Sequence, residues 1–448
     1  MRLREFRNPK KVRVDRFQNY YEKIAKISFA VFLFFIFFGT AIPFRERTRD
    51  IEEIATSNPV NQLVYGTLFI VSLVIIYSKK NEVFEFIKRE KYFFFFLSWC
   101  FLTIIWSDYP VVSFKRYIQY LTTVTVPLSF FLYSKNSEEA IKIFYYILAV
   151  YVIIAIATVL TIPMARNEAG YWRGIHTDKN GFAQISLITL IIFLIHFFRS
   201  VSLKSKAIDL FLILISLTLL IGARSSTALL TLIILFTIWI LFKIDKIFEP
   251  VGIRKTLSII LTLSGIVLIL TILVFVPEQL ESVIGITGKD LTFTGRVDIW
   301  KDVWGYVQNH FFLGAGFRGF WIINSPSLEQ LYQIYIWLPI QSHNGYLDLI
   351  NEVGAIGALL FLLVLANYFL NLSKLKSYHV WKWFMFAAIF INITESTLIS
   401  PKSVSGVMFI FSYLALFKDS LVVEESESKK KQIRSNSFSR YSPIKITR

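Results

Sequence analysis

Apolar residues in this chain come in long blocks separated by short polar stretches, and they rarely alternate one by one as a strand would require. A helix rises about 1.5 Å per residue, so about 20 consecutive apolar residues cover a hydrocarbon core of about 30 Å. Twelve blocks reach or approach that length: 27–42, 62–78, 92–107, 117–133, 141–163, 181–198, 208–222, 226–242, 257–276, 353–370, 383–399 and 404–417. The stretch 207–242 is nearly continuous. As one helix it would be about 54 Å long, too long for a single crossing. It must fold back, and the polar Gly222-Ala223-Arg224-Ser225-Ser226 is the place to do so. The pattern predicts an all-α fold, a polytopic membrane helix bundle of about 12 transmembrane helices.

Composition agrees. The 448 residues are 55% hydrophobic and only 18% charged, against about a quarter charged in soluble domains. The 44 Phe exceed what one soluble core needs and suit a surface facing hydrocarbon. The net charge of +17 is spread over short segments between apolar blocks and forms no single patch, which argues against a nucleic-acid partner. With an even number of spans both termini share one side, and that side holds 34 of the 48 Lys and Arg. The positive-inside rule puts both ends in the cytoplasm, against a local conflict at Arg45, Arg47 and Arg49. Nine basic residues precede the first block without a small-residue cleavage site, so that block reads as a retained span. Cys100 is the single cysteine and carries no information on redox compartment.

The resulting organisation is a basic cytoplasmic N-terminus (1–26), nine spans (27–276), one long outward-facing loop (277–345), three further spans (346–418) and a cytoplasmic tail (419–448). The Ser-, Lys- and Glu-rich end, 424–448, reads as disordered. The long loop, with its tryptophans, glycines and helical spacing, does not.

Candidate chemistry gathers in that loop and at the outer boundary. Ile299, Trp300, Val303, Trp304 and Val307 recur at spacings of three and four, marking an amphipathic helix capped by Thr294. Arg296 falls in its first turn, where a cation opposes the helix dipole and an anionic ligand would favour it. His343 and Asn344 open the next span, and histidine is the side chain best suited to exchange a proton near neutral pH. The alternative is a histidine that only caps the helix. Asn351 and Glu352 are candidates to orient it. Arg224, in a turn of few residues close to hydrocarbon, needs a partner or a ligand unless it snorkels to the surface. Glu395 lies near the outer end of its span and is a candidate partner for one of these arginines.

Gly314-Ala-Gly316-Phe-Arg318-Gly319 matches a dinucleotide fingerprint, but no strand precedes it and it lies outside the cytoplasm. It reads as a tight, close-packed turn, with Arg318 a secondary candidate for phosphate contact. In the loop 166–181 aromatic and basic residues interleave, either as an interfacial belt or as a sugar and phosphate surface. Arg173 and Lys179 are its candidate ligands. No Asp-x-Asp pair, Cys/His cluster or H-E-x-x-H occurs on the outer side, so neither a metal nor a cofactor is expected.

At these residues the sequence resembles the O-antigen ligase and polymerase superfamily, which includes exopolysaccharide polymerases. Thr-Gly-Arg296 followed by Ile-Trp300 and then Leu-Gly-Ala-Gly316 carries part of the likeness. His343-Asn344 leading to Glu352-x-Gly354, and Arg224 after a span, carry the rest. Trp106-Ser-Asp-Tyr-Pro110 and the loop from His176 to Lys179-Asn180 are similar to exopolysaccharide members. Two departures stand out: Ser-Ser after Arg224 in place of a smaller pair, and Asp178 where a histidine or aromatic residue is common.

The resemblance implies a metal-independent inverting glycosyltransferase. Its donor would be an undecaprenyl-diphosphate-linked oligosaccharide, and its acceptor glycan a lipid-linked chain (polymerase) or a lipid A core (ligase). On that reading His343 is the base, Arg224 and Arg296 hold the diphosphate, and Arg173, Lys179, Trp300, Arg318, Asn344, Glu352 and Glu395 are the candidate substrate-binding residues. Membrane lipids and a chain-length regulator are the other expected partners. A polysaccharide transporter or flippase is the alternative of a different class. It predicts internal repeats and midplane charges, whereas this chain has no detectable repeat and keeps its polar candidates at the outer boundary.

Overall fold

A computed structural model describes residues 9–39, 59–247, 296–322, 325–335, 339–375 and 379–439. Fourteen α-helices appear among the described residues. They are α1 (Pro9–Phe38), α2 (Pro59–Ser78), α3 (Lys80–Arg89), α4 (Lys91–Leu102), α5 (Pro110–Tyr133), α6 (Glu139–Thr161), α7 (Lys179–Arg199), α8 (Leu203–Gly222), α9 (Ser226–Ile247), α10 (Arg296–Asn309), α11 (Pro326–Ile334), α12 (Gly345–Lys374), α13 (Lys382–Thr394) and α14 (Val404–Ser439). Seven of them are long and apolar enough to cross a membrane, and α4 with its 3₁₀ extension and α13 are shorter apolar helices. The fold is that of an all-α, multi-pass membrane protein. Of the twelve blocks, 257–276 lies outside the described residues and the others fall on helices. The fold-back also occurs where the polar residues demand it, with α8 ending at Gly222 and α9 starting at Ser226.

Burial separates the helices by position. In α2 only 22% of the span is buried, and Leu63, Ile70 and Tyr77 point outward at 64–75% exposure, as lipid-facing side chains do. In α7 the share is 72%, which makes it the interior helix of the bundle. It packs on α6, α8, α9 and α14. Aromatic packing fills much of the remaining centre. Phe29, Phe130, Phe144, Phe384, Phe411 and Trp381 join α1, α5, α6, α13 and α14, with Phe29 stacked on Phe130 at 4.5 Å and Trp381 edge-on to Phe411 at 4.6 Å.

A second, smaller core sits over one end of the bundle. Ile299, Val303 and Val307 of α10 pack on Phe320, Trp321, Leu328 and Leu331. The amphipathic spacing thus has its expected inner face, except that Trp304 stands 42% exposed. The layer is joined to the bundle by main-chain contacts. At Gly354 α12 breaks (φ 68°), and there the carbonyls of Asn351 and Glu352 accept from Ala315 and Gly316 while Ala355 donates to Phe311. A Cβ at Gly314 or Gly354 would collide with the opposing backbone. The glycine-rich segment is therefore a close-packed turn. At the C-terminus, α14 continues as helix to Ser439 where disorder was expected from 424. Glu425–Lys429 and Glu427–Lys431 have the i,i+4 spacing that supports a helix.

Candidate functional site

The helix ends beneath the small core bring together side chains from five chain segments. Asp178 caps α7 by accepting from the Gly181 amide, which accounts for its presence and sets Lys179 and Asn180 at the head of the interior helix. Asn344 caps α12, its Oδ1 accepting from the amides of Tyr346 and Leu347. The cap is therefore Asn344 and not His343, whose backbone is left-handed (φ 57°).

Glu395, just past the end of α13, is the hub. Its Oε1 accepts from Asn180 Nδ2 at 2.8 Å and lies 4.0 Å from Arg296 Nη2. Its Oε2 accepts from Gln341 Nε2 at 3.2 Å and lies 3.4 Å from His343 Nδ1. Gln341 Nε2 also contacts His343 Nδ1 at 3.1 Å. Arg296 Nη1 donates to the Thr394 carbonyl at 3.3 Å, and Thr394 Oγ1 donates to Thr227 on α9. Ser225 donates to Asn180, bringing the α8–α9 turn into the same network. Arg224 in that turn is left-handed as well (φ 46°). Its guanidinium lies 5.5 Å from the centroid of the Tyr171 ring, and the Lys179 ammonium lies 4.2 Å from the same centroid. A carboxylate buried as deeply as Glu395, at 3% exposure, requires such partners, since an unpaired buried charge costs several kcal/mol.

The arrangement corrects part of the sequence reading. Glu352 does not orient His343. Nine residues along a helix are about 13 Å of rise, which takes Glu352 away from the pocket, whereas Glu395 arrives from the end of a different helix. Glu352 faces Arg318, accepting from its amide at 2.9 Å with Nη1 3.5 Å from the other oxygen. The Asn351 main-chain carbonyl accepts from the Ala315 amide. Arg318 therefore belongs to a second cluster. Arg173 is buried, with Nε on the Met164 carbonyl and Nη1 on the Thr177 carbonyl, and so pins its own loop. Trp300 donates to the Ser342 carbonyl at 2.8 Å and fixes the strand of chain that carries His343. Thr294 lies outside the described residues.

The sequence has five histidines. His196 and His379 pair with Asp209 and Asp419 at the opposite end of the bundle, and His310 is exposed. His176 contacts the Tyr151 hydroxyl at 2.9 Å, and burial pushes its pKa down to about 4, so it is neutral at ordinary pH. His343 is the histidine that meets Glu395, the carboxylate that the Arg296 guanidinium also approaches.

Comparison with known proteins supports the resemblance read from the motifs. Residues 210–362 match the O-antigen ligase family. That segment holds Arg224, Arg296, His343 and both glycine-rich contacts. The exopolysaccharide production protein ExoQ of Rhizobium meliloti (strain 1021) is 25% identical over 158 residues. The aligned stretch spans 35% of this chain and 36% of that relative, about a third of each. Gln341 and the neutral bonding of Asn180 escaped the sequence reading. A lone Gln two residues before a His carries no periodic or motif signal.

Proposed function

We propose that this membrane protein builds a surface polysaccharide by transferring glycan from an undecaprenyl-diphosphate donor to an acceptor sugar hydroxyl, and that it acts as a polymerase. The meeting of His343, Glu395 and Arg296 in one pocket is the observation that carries this reading, with Arg224 and Lys179 on the adjoining Tyr171 ring. The match to the O-antigen ligase family supports the reaction class, and the relative's part in exopolysaccharide production fits a surface polysaccharide product.

In this mechanism the proton of the His343 ring sits on Nδ1, directed at Glu395, and leaves Nε2 to accept the proton of the acceptor hydroxyl. The oxygen attacks the anomeric carbon from the face opposite the diphosphate. A new C–O bond forms, the bond from the anomeric carbon to the phosphate oxygen breaks, and the diphosphate departs with the electron pair. Arg296 and Arg224 neutralise that growing charge, and a guanidinium does so through paired N–H groups. The pocket faces the non-cytoplasmic side, where lipid-linked repeat units are presented.

The test is transfer by purified protein given a lipid-diphosphate glycan. His343→Ala should lower the rate about 10²–10⁴-fold, the usual worth of a general base, at unchanged protein level. Arg296→Lys should lose most activity because a point charge does not reproduce bidentate contact. Full activity in His343→Ala would end the proposal.

A further inference from the structure

In the α8–α9 turn the glycine and the strained backbone fall on different residues. Gly222, the last residue of α8, does not have positive φ, so its backbone does not call for glycine. Its neighbour does. The Trp172 indole occupies the place where a Cβ at Gly222 would lie. Arg224, two residues on, has the left-handed φ (46°) at which a helix ordinarily ends on glycine. Strain of this kind persists where the surrounding structure holds it and a side chain is needed in place.

Trp172 reaches the turn from a braced frame. Arg166 and Trp172 form an antiparallel bridge, and the amides of Arg173 and Gly174 donate to the Ala165 carbonyl. Asn167 ties both main-chain groups of Tyr171, donating its amide to the carbonyl and accepting from the amide on Oδ1. From this frame the Trp172 amide donates to the Gly222 carbonyl at 3.0 Å, satisfying one of the acceptors that a helix end leaves open. On the far side of Arg224, Ser225 Oγ donates to Asn180 Oδ1 at 3.0 Å. The turn is therefore clamped on both flanks of Arg224. That side chain is exposed, so its location is set by the backbone beneath it and by the Tyr171 ring beside the indole.

We infer that Trp172 is a positioning residue: seated on Gly222, it fixes the α8–α9 turn and so aims the Arg224 guanidinium. On the transferase reading, which the kinetic half of this inference assumes, the guanidinium so aimed meets the donor diphosphate.

The test reads the turn and the reaction separately, both on the purified full chain. Hydrogen exchange followed by mass spectrometry should show the amides of 219–226 exchanging at least about tenfold faster in Trp172→Ala, with α7 and α14 unchanged. Gly222→Ala displaces the indole without deleting it and should do the same. In transfer assays either change should lower kcat/KM for a lipid-diphosphate donor about ten- to a hundredfold, the cost of a ligand misplaced by about 1 Å, while the acceptor KM stays within about twofold. Trp172→Ala added to Arg224→Ala should cost nothing further, because both act through one group. Unchanged exchange in both variants, or losses from Trp172→Ala and Arg224→Ala that multiply, would overturn the inference. A loosened turn in a protein whose donor kcat/KM survives Arg224→Ala would retire the diphosphate role of Arg224 and leave the positioning by Trp172 standing.

Discussion

Glu395 receives hydrogen bonds from Asn180 and Gln341 and lies beside His343 and Arg296, so its substitutions separate charge from packing. Glu395→Gln keeps the volume but loses the partner that holds the imidazole proton. The turnover rate should fall about ten- to a hundredfold, with little change in donor affinity or thermal stability, as measured by initial rates and thermal unfolding. Glu395→Ala should also destabilise the fold by about 1 kcal/mol, because it removes the acceptor of two half-buried donors, Asn180 and Gln341. His343, Arg296 and Glu395 were each legible in the sequence as polar residues at span boundaries. Their grouping was not, because helix register shows which residues share a helix face and not which helix ends meet. Glu352, closer to His343 in number, was the natural choice and the wrong one. Arg173 shows the same limit. An arginine among aromatic residues has one appearance in sequence whether it binds phosphate or, as here, backbone carbonyls.

At the scale of elements, the long interspan turn 162–178 and the break in α12 do most of the positioning. His176 is held neutral inside that turn against Tyr151. Its folded pKa, about 4, lies below the ordinary 6.5, so the unfolded chain binds the extra proton first as pH falls. The contribution is complete above about pH 6.5 and is lost progressively toward pH 4, and unfolding in detergent across that window should show it. His176→Phe should flatten the slope. Gly354→Ala should destabilise by at least about 2 kcal/mol, since a side chain would have both positive φ and a collision with Phe312. The tightness of Gly314-Ala-Gly316 was readable from its glycines. That its backbone pairs with an unwound turn of a membrane helix was not, because α12 looks continuous in hydropathy.

For the whole molecule, the apolar blocks supplied the architecture, since length and hydrophobicity alone identify a helix that crosses a bilayer. Orientation rests on the distribution of Lys and Arg, and the chain offers a convenient test. Cys100, its single cysteine, is buried, so thiol labelling starts from a low background. A cysteine at the exposed Leu313 should react with impermeant reagent from outside, and one at Leu203 only after permeabilisation. The reverse pattern would invert the topology.

The join at Gly354 is written in amide and carbonyl groups, which every residue possesses. The height of the pocket above the hydrocarbon is therefore set by the main chain. Side chains facing away from the join can therefore vary without moving the pocket, and on the proposed transferase function the same scaffold would accept a different sugar.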